Sequence, residues 1–348
     1  MGAIAVPGPG VETEGINEGS ATMTTFPDRH RSDFDYNGDT TGRFADILWR
    51  DAAGDDVLWR MHIVFPDLTA PLPHVPPDWH FKAAADFDTL SGSGNADILW
   101  QNDNGAVVLW QMDGASISLI RALPNPGSAW HVAGDNDFNG DTGDDILFQH
   151  DNGSLAIWTG AGVGTGSDKY AGTQNPGPTW HVVGTGDTDG DFRAGILWQN
   201  NDGTLALWEN ADLTFVDHGI FSFDTVAVLP TVDPSWHVKG MADLNADFRE
   251  DIVFQNDSGA VVVWEMNGTT ITATNLVNLN AGPAWHIVGL RNMDGDAEGR
   301  ADILFQHDNG AAAVWTDYRS LGGGSATFDS VFAIDPNPNP NGHVWDLL

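Results

Sequence analysis

The side chains best suited to chemistry are carboxylates and amides that recur at fixed spacing in short, glycine-containing stretches. In one of them Asp137, Asn139, Asp141 and Asp145 occupy positions 1, 3, 5 and 9. Alternate oxygen-bearing side chains in a tight turn point inward together, and an acid at position 9 closes the shell. Hard oxygen ligands in this number suit Ca²⁺ far better than Zn²⁺, which prefers nitrogen or sulfur. The spacing therefore predicts a calcium-binding loop.

Related stretches recur along the chain, and this recurrence strengthens the prediction. Asp, Asn and Gly also form turns without a metal, so a single copy is ambiguous, whereas the repeated copies favour about four to five Ca²⁺ ions. The fourth copy has Gly195 at position 9, three extra residues delay the last acid of the first copy, and the second copy (86–97) is degenerate, so occupancy of the second and fourth stays open. The predicted metal ligands are Asp35, Asn37, Asp39, Asp46, Asp137, Asn139, Asp141, Asp145, Asp187, Asp189, Asp191, Asp243, Asn245, Asp247, Asp251, Asp294, Asp296, Glu298 and Asp302.

The acidic stretches belong to a longer repeat of about 50 residues. A typical copy opens with Trp-His, as at Trp130-His131, and continues after the acids with an apolar strand, a glycine turn and a strand that ends in Trp. Asn-Gly, Asp-Gly and Ser-Gly pairs between these strands predict hairpins, because they tolerate positive φ. A looser apolar run, such as 117–123, predicts a fourth, outer strand. The pattern predicts an all-β fold, a six-bladed β-propeller with four antiparallel strands per blade. Aromatic rings at fixed positions of each copy indicate packing.

The two ends of the chain complement each other. The first copy lacks Trp-His, and an altered last copy stands alone at 344–348. We expect this C-terminal strand to pair into the first blade and close the ring, which would leave no long exposed sheet edge. Residues 26–348 are then one propeller domain, preceded by a flexible segment at 1–25.

The acidic stretches joined to Asp-Ile-Leu-Trp, as at 97–100, resemble FG-GAP/VCBS repeats, the family that builds integrin α-chain-like propellers. The resemblance covers roughly residues 30–348. It implies Ca²⁺ between the first and second strands of a blade, on one face of the disc, where the ions hold the geometry of the blade. It also implies the ligand role for the acidic positions given above.

Charge and composition exclude several classes of partner. The formal net charge is −35, with 49 acidic against 14 basic residues. Nucleic acid and anionic membrane surfaces attract basic proteins, so neither is expected as a partner. No apolar run approaches the roughly 18 residues of a membrane span, and no insertion is expected. Without cysteine there is neither a disulfide nor a thiol ligand. Bound cations would offset the self-repulsion of so acidic a chain.

Polar residues near the strand ends are further candidates for ligand binding. Histidines that follow Trp occur once in each copy that opens with Trp-His, and either bind a ligand or hydrogen-bond a neighbouring blade. Glutamines near the end of the second strand either line pockets between blades, where they could bond sugar hydroxyls, or cap sheet ends and turns. These candidates are His80, His131, His181, His237, His286, Gln101, Gln149, Gln199, Gln255 and Gln306.

The sequence favours binding over catalysis. It contains no Gly-x-Ser-x-Gly, no His-Glu-x-x-His and no phosphate-cradling loop, and its carboxylates recur in every copy, whereas an enzyme needs one asymmetric set. We expect a non-enzymatic, extracellular, calcium-binding module that adheres to a surface protein or polysaccharide, although no signal peptide is visible. The alternatives are a multivalent lectin with sites between blades and a polysaccharide lyase or hydrolase.

Overall fold

The computed structural model describes residues 45–51, 53–62, 65–87, 95–160, 169–172, 174–213, 220–296, 298–334 and 345–347. Every regular element in these ranges is a β-strand. Within them, no helix has the length and hydropathy needed to cross a membrane. The predicted ligands Asp35, Asn37 and Asp39 lie outside the described residues, as does the segment 1–25 predicted to be flexible.

The strands form antiparallel units of four, numbered here along the chain. Unit 1 comprises β1 (Ile47–Asp51), β2 (Asp56–His62), β3 (Phe65–Pro71) and β24 (Trp345–Leu347). Unit 2 comprises β4 (Trp79–Ala85), β5 (Asp97–Asn102), β6 (Val107–Asp113) and β7 (Ser116–Ala122). Unit 3 comprises β8 (Trp130–Asn136), β9 (Asp145–His150), β10 (Leu155–Trp158) and β11 (Lys169–Gly172).

The remaining units repeat this order. Unit 4 comprises β12 (Trp180–Gly186), β13 (Gly195–Asn200), β14 (Leu205–Asp212) and β15 (Ile220–Leu229). Unit 5 comprises β16 (Trp236–Ala242), β17 (Asp251–Asn256), β18 (Ala260–Asn267) and β19 (Thr270–Asn280). Unit 6 comprises β20 (Trp285–Arg291), β21 (Asp302–His307), β22 (Ala312–Gly322) and β23 (Ser325–Ile334). The fourth strand of each unit confirms the outer strand predicted from the looser apolar runs.

The C-terminal strand completes the N-terminal unit. Strand β24 pairs antiparallel with β1, with Leu347 opposite Trp49 and Trp345 opposite Asp51. In the order β24-β1-β2-β3 it takes the place that the Trp-His strand holds in the other units. The predicted pairing of the two chain ends is therefore confirmed.

An aromatic pair in each unit joins the second strand to the third. In unit 3 the ring centroids of Phe148 and Trp158 are 4.5 Å apart, and both rings are buried. Tilted and edge-on contacts of this kind stabilise by about 0.5–1.5 kcal/mol beyond the burial of area. The packing role predicted for these rings is confirmed. The corresponding pairs are Trp49–Trp59, Trp100–Trp110, Trp198–Trp208, Phe254–Trp264 and Phe305–Trp315.

Apolar clusters fill the space between units. One cluster contains Leu207 of unit 4 and Phe254 of unit 5, and similar clusters lie between units 1 and 2, 2 and 3, 3 and 4, and 5 and 6. A further cluster contains Trp49 of unit 1 and Leu304 of unit 6. The first strands of units 2 to 6 contact one another in chain order. Four-stranded antiparallel sheets packed face to face, with their first strands side by side, make a β-propeller architecture.

Two pairs of units are also joined at their outer edges. Strand β11 pairs in parallel with β15, and β19 with β23, over two residues in each case. Units 3 and 4 therefore form one eight-stranded sheet, and units 5 and 6 form another. The repeat does not predict these contacts, because they join the outer strands of different copies.

The direction of the strands gives the molecule two faces. The acidic face carries the loops that join first to second strands, which begin at Asp137 in unit 3. The histidine face carries the start of each Trp-His strand and the turns that join second to third strands, such as 151–153. Each repeat thus places acidic residues on both faces, in different surroundings.

Candidate metal centres

Four loops of the acidic face are described through their candidate ligands: loop 3 (137–145), loop 4 (187–195), loop 5 (243–251) and loop 6 (292–302), without residue 297. In three of them an apolar side chain at position 2 is fully buried, namely Phe138, Leu244 and Met293. Removal of these side chains from water favours the observed loop position by roughly 1.5–3 kcal/mol each. The loops are therefore anchored to the core beside the oxygen-bearing residues at positions 1, 3 and 5.

The side chain at position 1 organises the backbone of its loop. In loop 3, Oδ1 of Asp137 accepts a hydrogen bond from the backbone N–H of Gly140 at 2.6 Å, and Oδ2 accepts one from Thr142 at 2.8 Å. The hydrogen bond from the backbone N–H of position 6 to Oδ2 of position 1 recurs in loops 4 and 5. Phe192 donates to Asp187 at 2.8 Å, and Phe248 donates to Asp243 at 2.9 Å. Loops 3, 4 and 5 thus share one hydrogen-bonding scheme.

The three loops also share an unusual backbone conformation. The residue at position 4 has a positive φ in all three loops: 78° at Gly140, 80° at Gly190 and 61° at Ala246. Position 6 is left-handed too, although it never carries glycine: Thr142 has φ 75°, Phe192 68° and Phe248 64°. A left-handed residue with a Cβ costs roughly 1–2 kcal/mol. Each loop therefore holds a strained residue at its tip.

Loop 6 differs from the predicted register. Asn292, not Asp294, is equivalent to Asp137, because Oδ1 of Asn292 accepts the N–H of Gly295 at 2.7 Å. The carboxylates of Asp294 and Asp296 consequently stand at positions 3 and 5 rather than 1 and 3. Glu298 belongs to an insertion, with an exposed side chain 3.9 Å from Arg300. The prediction that Asp294 is position 1 is therefore wrong, because the amide oxygen of Asn292 accepts the hydrogen bond that a carboxylate accepts in the other loops.

The carboxylates at position 9 are buried among other acids. Burial, and then Asp141 and Asp137, raise the pKa of Asp145 well above its ordinary value. Burial raises the pKa of Asp251 to about 8, with contributions from Asp243 and Asp247. Burial and Asp294 raise the pKa of Asp302 to about 8.

One of the two carboxylate oxygens of Asp251 has no hydrogen-bond donor in the described part of the chain. Its Oδ1 accepts the N–H of Met266 at 3.1 Å, whereas Oδ2 is buried and has no hydrogen-bond partner among the described residues. A buried carboxylate beside other carboxylates is stable only when protonated or when a cation compensates it. The donor set, which is all oxygen and mostly carboxylate, fits a hard divalent cation such as Ca²⁺.

Loop 4 brings three acids together most closely. One carboxylate oxygen from each of Asp187, Asp189 and Asp191 lies within 4.8 Å of the others. Where the other loops have an acid at position 9, loop 4 has Gly195. A Cβ at Gly195 would lie 2.1 Å from Oε2 of Glu209, so the carboxylate of Glu209 fills the space beside this glycine.

Glu209 was not among the sequence candidates. It lies on β14 directly after Trp208, is 2% exposed and accepts a hydrogen bond from the hydroxyl of Thr188. Burial raises the pKa of Glu209 to about 8; Thr188 opposes the shift, and Asp189, Asp187 and Asp191 add to it. The sequence signal that could have revealed Glu209 is an acid directly after the third-strand Trp in the repeat that has Gly195 at position 9.

Position 8 supplies two more buried acids that the sequence reasoning missed. Asp144 and Glu250 stand where other loops have alanine, as Ala194 does in loop 4. The N–H at this position joins successive loops: Glu250 donates to the carbonyl oxygen of Asp187 at 2.7 Å, and Ala194 to that of Asp137 at 2.8 Å. Burial, followed by neighbouring acids, raises the pKa of both carboxyls well above their ordinary values.

The first two copies are described only in part. Asp46 and Asp97 are buried and accept backbone N–H groups of the third strand, as Asp251 does; the donors are Met61 at 2.7 Å and Met112 at 2.9 Å. Residues 88–94 lie outside the described residues. The position-9 acids of these two copies therefore resemble that of loop 5, and metal binding there stays a prediction.

The histidines lie on the opposite face, away from these loops. Nε2 of His80 is 2.7 Å from Oδ1 of Asp103, and both side chains are exposed. Of the two predicted roles, a bond to a neighbouring blade is wrong: the partner lies in the same unit, because the turn after the second strand returns beside the Trp-His strand. Ligand binding by these histidines stays a prediction. The equivalent pairs are His131–Asp151, His181–Asn201, His237–Asp257 and His286–Asp308.

Three of the candidate glutamines form hydrogen bonds between one unit and the next. Nε2 of Gln101 donates to the carbonyl oxygen of Trp130 at 2.8 Å, and its Oε1 accepts the N–H of Val132 at 2.9 Å. Gln149 and Gln255 make the same two bonds to the following unit. These three amides thus bridge units rather than cap sheet ends. Gln199 and Gln306 occupy the equivalent positions opposite His181 and His286.

Comparisons with known proteins give no family. No protein-family model matches the chain, and no curated protein matches it significantly. Solved structures similar to it include BBS1N in complex with ARL6DN (12% identity, 76% of this chain and 71% of that chain covered, TM-score 0.39). A protein of unknown function from Bacteroides caccae is 10% identical (87% and 98% covered, TM-score 0.41). Kluyveromyces lactis Hsv2 is 8% identical (82% and 78% covered, TM-score 0.42).

Proposed function

We propose that this chain is a calcium-stabilised, six-bladed β-propeller that binds a surface protein or a polysaccharide outside the cell and catalyses no reaction. The observation that carries the proposal is the recurring acidic loop. Loops 3, 4 and 5 adopt one strained backbone and gather carboxylates, and the charged neighbours that raise the pKa of Asp145 and Asp251 are other acids. A cation in each loop compensates both the charge and the strain.

Calcium suits the overall charge and the expected location. Five divalent ions would offset ten of the 35 net negative charges, and this reduces self-repulsion. Calcium sites of extracellular modules are filled at roughly 10⁻⁴–10⁻³ M, whereas cytosolic sites must bind more tightly. We expect about four to five ions per chain, which the calcium concentration outside the cell would suffice to bind.

The number of bound calcium ions per chain tests the proposed metal binding. After removal of metal, titration with Ca²⁺ should show about four to five equivalents and little binding of Zn²⁺ at the same sites. The variant Asp141→Ala should lose one equivalent and keep the others. If the metal-free protein took up no calcium at millimolar concentration, the proposed metal role would be overturned.

The closed ring is supported by two features of the packing. The hydrophobic clusters include one that contains residues of units 1 and 6, and β24 supplies the first strand of unit 1. Removal of residues 344–348 should therefore lower the melting temperature of the whole domain, because β1 loses its partner strand. A matched deletion of 1–5 is the control. Equal melting temperatures for the two deletions would contradict closure by this strand.

The acidic face is the proposed partner face. At the tips of the neighbouring loops 4 and 5, Phe192 is 41% exposed and Phe248 is 65% exposed, both at the strained position 6. An aromatic ring held in water by a rigid loop offers a flat apolar surface to a sugar ring or an apolar side chain. Because each loop would hold its ring through a cation, binding of the partner should depend on calcium.

A binding screen with two variants tests this face. Glycan arrays and immobilised surface proteins are probed with the full chain, with and without a chelator. The double change Phe192→Ser and Phe248→Ser should weaken binding at least tenfold, about 1.4 kcal/mol, and should leave calcium uptake unchanged. The control changes the exposed Leu119 and Ile120 of the outer strand β7 to Ser. If only the control lost binding, the outer edge rather than the acidic face would be the site.

A further inference from the structure

The fourth acidic loop lacks the carboxylate that closes the other loops. Position 9 is Gly195, which brings no side chain. Its neighbours at positions 1, 3 and 5 are nevertheless all aspartates, whose oxygens lie within 4.8 Å of one another. At positions 1, 3, 5 and 9, loops 4 and 5 therefore carry three carboxylates each, but loop 4 has no oxygen at position 9, where loop 5 has Asp251.

We propose that Glu209, on the third strand of unit 4, is the missing ligand, so that loop 4 holds a divalent cation through Asp187, Asp189, Asp191 and Glu209. This rests on the proposed calcium function and deepens it. The carboxylate arrives from another strand instead of from the loop itself. Its Oε2 lies 2.1 Å from the point where a Cβ of residue 195 would stand, so the acid takes the place beside the loop that the glycine leaves open.

The surroundings of Glu209 fix its carboxylate in this place. Its Oε1 accepts the hydroxyl hydrogen of Thr188, the buried residue at position 2 of the same loop. No described residue donates a hydrogen bond to Oε2. One oxygen is thus held by the loop, and the other is left for a cation.

A second carboxyl is buried against the same loop. Glu250, at position 8 of loop 5, is 9% exposed, and its carboxylate accepts no hydrogen bond from the described residues. Its Oε2 stands 1.8 Å from the point where a Cβ of Gly186 would lie, next to Asp187. A buried acid that has no donor among the described residues, and whose Oε2 lies beside Gly186 and thus next to Asp187, is an independent sign that a cation belongs in this cluster.

The equivalent residues of other units do not have this role. Units 3 and 6 have Thr159 and Thr316 after the third-strand Trp, together with an acid at position 9. Unit 5 has Glu265, but its Oε1 accepts hydrogen bonds from Asn275 at 2.8 Å and Tyr318 at 3.1 Å. Among the described units, only unit 4 combines glycine at position 9 with this glutamate.

The test compares Glu209→Gln with its matched control Glu265→Gln, by counting bound Ca²⁺ in the full chain. Gln keeps the shape of the side chain and can still accept the Thr188 hydroxyl. We expect E209Q to lose one equivalent, or to bind it at least roughly tenfold more weakly, the lower end of the loss seen when groups that support metal ligands are removed. We expect E265Q to bind as many ions as the unchanged protein.

Melting curves separate a ligand from a merely structural residue. If Glu209 is a ligand, E209Q removes a like charge from the metal-free cluster, so its melting temperature in chelator stays equal or rises, while the gain on addition of Ca²⁺ shrinks. A lower melting temperature in both states with an unchanged gain would assign Glu209 a packing role and overturn the proposal.

The two levels of the hypothesis fail differently. If the unchanged protein binds no calcium, the proposed calcium function falls, and the ligand role falls with it. If the unchanged protein binds calcium and E209Q binds the same number of ions with the same affinity, only the role of Glu209 is refuted.

Discussion

The two faces of the molecule carry acids in every fully described repeat, yet in opposite conditions. On the histidine face, Asp257 is exposed and lies 2.7 Å from Nε2 of an exposed His237. On the acidic face, Asp251 of the same unit is buried beside Asp243 and Asp247. Exposed ion pairs contribute about 0–1 kcal/mol, because water screens them, whereas a buried carboxylate needs a proton or a cation.

The contrast shows that burial, not the number of acids, decides which carboxylates need a proton or a cation. Both faces derive from the same repeat, and both use Asx-type turns. In units 3 and 5, the acidic-face loops carry the buried side chains Phe138 and Leu244, which draw the loop into the core and withdraw its carboxylates from water. We therefore expect perturbations of the acidic face to be large and those of the histidine face to be small.

Removal of calcium should have the largest effect. An ion at 100 times its dissociation constant stabilises by about 2.7 kcal/mol. For 348 residues, with an unfolding entropy of about 2.1 cal/mol/K per residue, about 1 kcal/mol shifts the melting temperature by about 1.4 °C. With several sites, EDTA should lower the melting temperature by roughly 10–20 °C, and excess Ca²⁺ should restore it. Calorimetry checks this, with calcium-saturated EDTA as the control. An unchanged melting temperature in EDTA would contradict the expectation that the acidic face contributes more to stability than the histidine face when calcium is bound.

The stability of the chelated protein should depend on pH through the carboxyls of the same loops. The folded-state pKa values of Asp251 and Asp302 are raised to about 8, above the ordinary value near 4. Between these values the folded chain binds more protons than the unfolded chain, so stability must fall as pH rises from about 4 to about 8. Urea unfolding at pH 5 and pH 8 measures the slope. Saturating calcium should flatten it, since the ions replace the protons. Greater stability of the chelated protein at pH 8 would contradict the assignment.

A single substitution in loop 5 should show the contribution of one site. Asp251→Asn keeps an oxygen for the N–H of Met266 but loses the charge at position 9. In calcium we expect one ion fewer and a melting temperature lower by about 4 °C, which corresponds to the loss of one such site. In chelator the same change should cost little or stabilise. A similar loss in both conditions would mean that Asp251 serves the fold and not a cation.

The smallest effect is expected from the equivalent change on the other face. Asp257→Asn removes the charge from the pair with His237 and should alter stability by less than about 1 kcal/mol, in calcium or in chelator. Calcium uptake should not change. If this variant lost an ion or melted as early as Asp251→Asn, the histidine face would share the metal dependence.

The parts of the fold that repeat were accessible from sequence. Trp158 and Trp208 recur at the ends of third strands, and their packing partners recur at fixed positions of second strands. The missing Trp-His strand of the first copy and the isolated 345–347 strand together predicted the pairing of the chain ends. Such features are local or periodic, so one copy supports the interpretation of the next.

The errors occurred where one residue substitutes chemically for another. Asn292 performs in loop 6 the hydrogen bonding of an aspartate, and a search for the first acid shifted the register by two residues. Of the two roles left open for the histidines, the bond to another blade is wrong, because strand pairing returns Asp257 to the strand of His237. The outer pairing of β11 with β15 left no trace in the repeat.

By itself, the sequence determined the order of the strands within a unit, the aromatic pairs and the spacing of oxygen-bearing residues, because these depend on contacts within one copy. Only the tertiary structure decided which carboxylates lose contact with water and which acids from other strands join them. Glu209 reaches the space beside Gly195 from β14, and Glu250 reaches loop 4 from the next unit. Burial and proximity across strands are properties of packing, and no spacing along the chain records them.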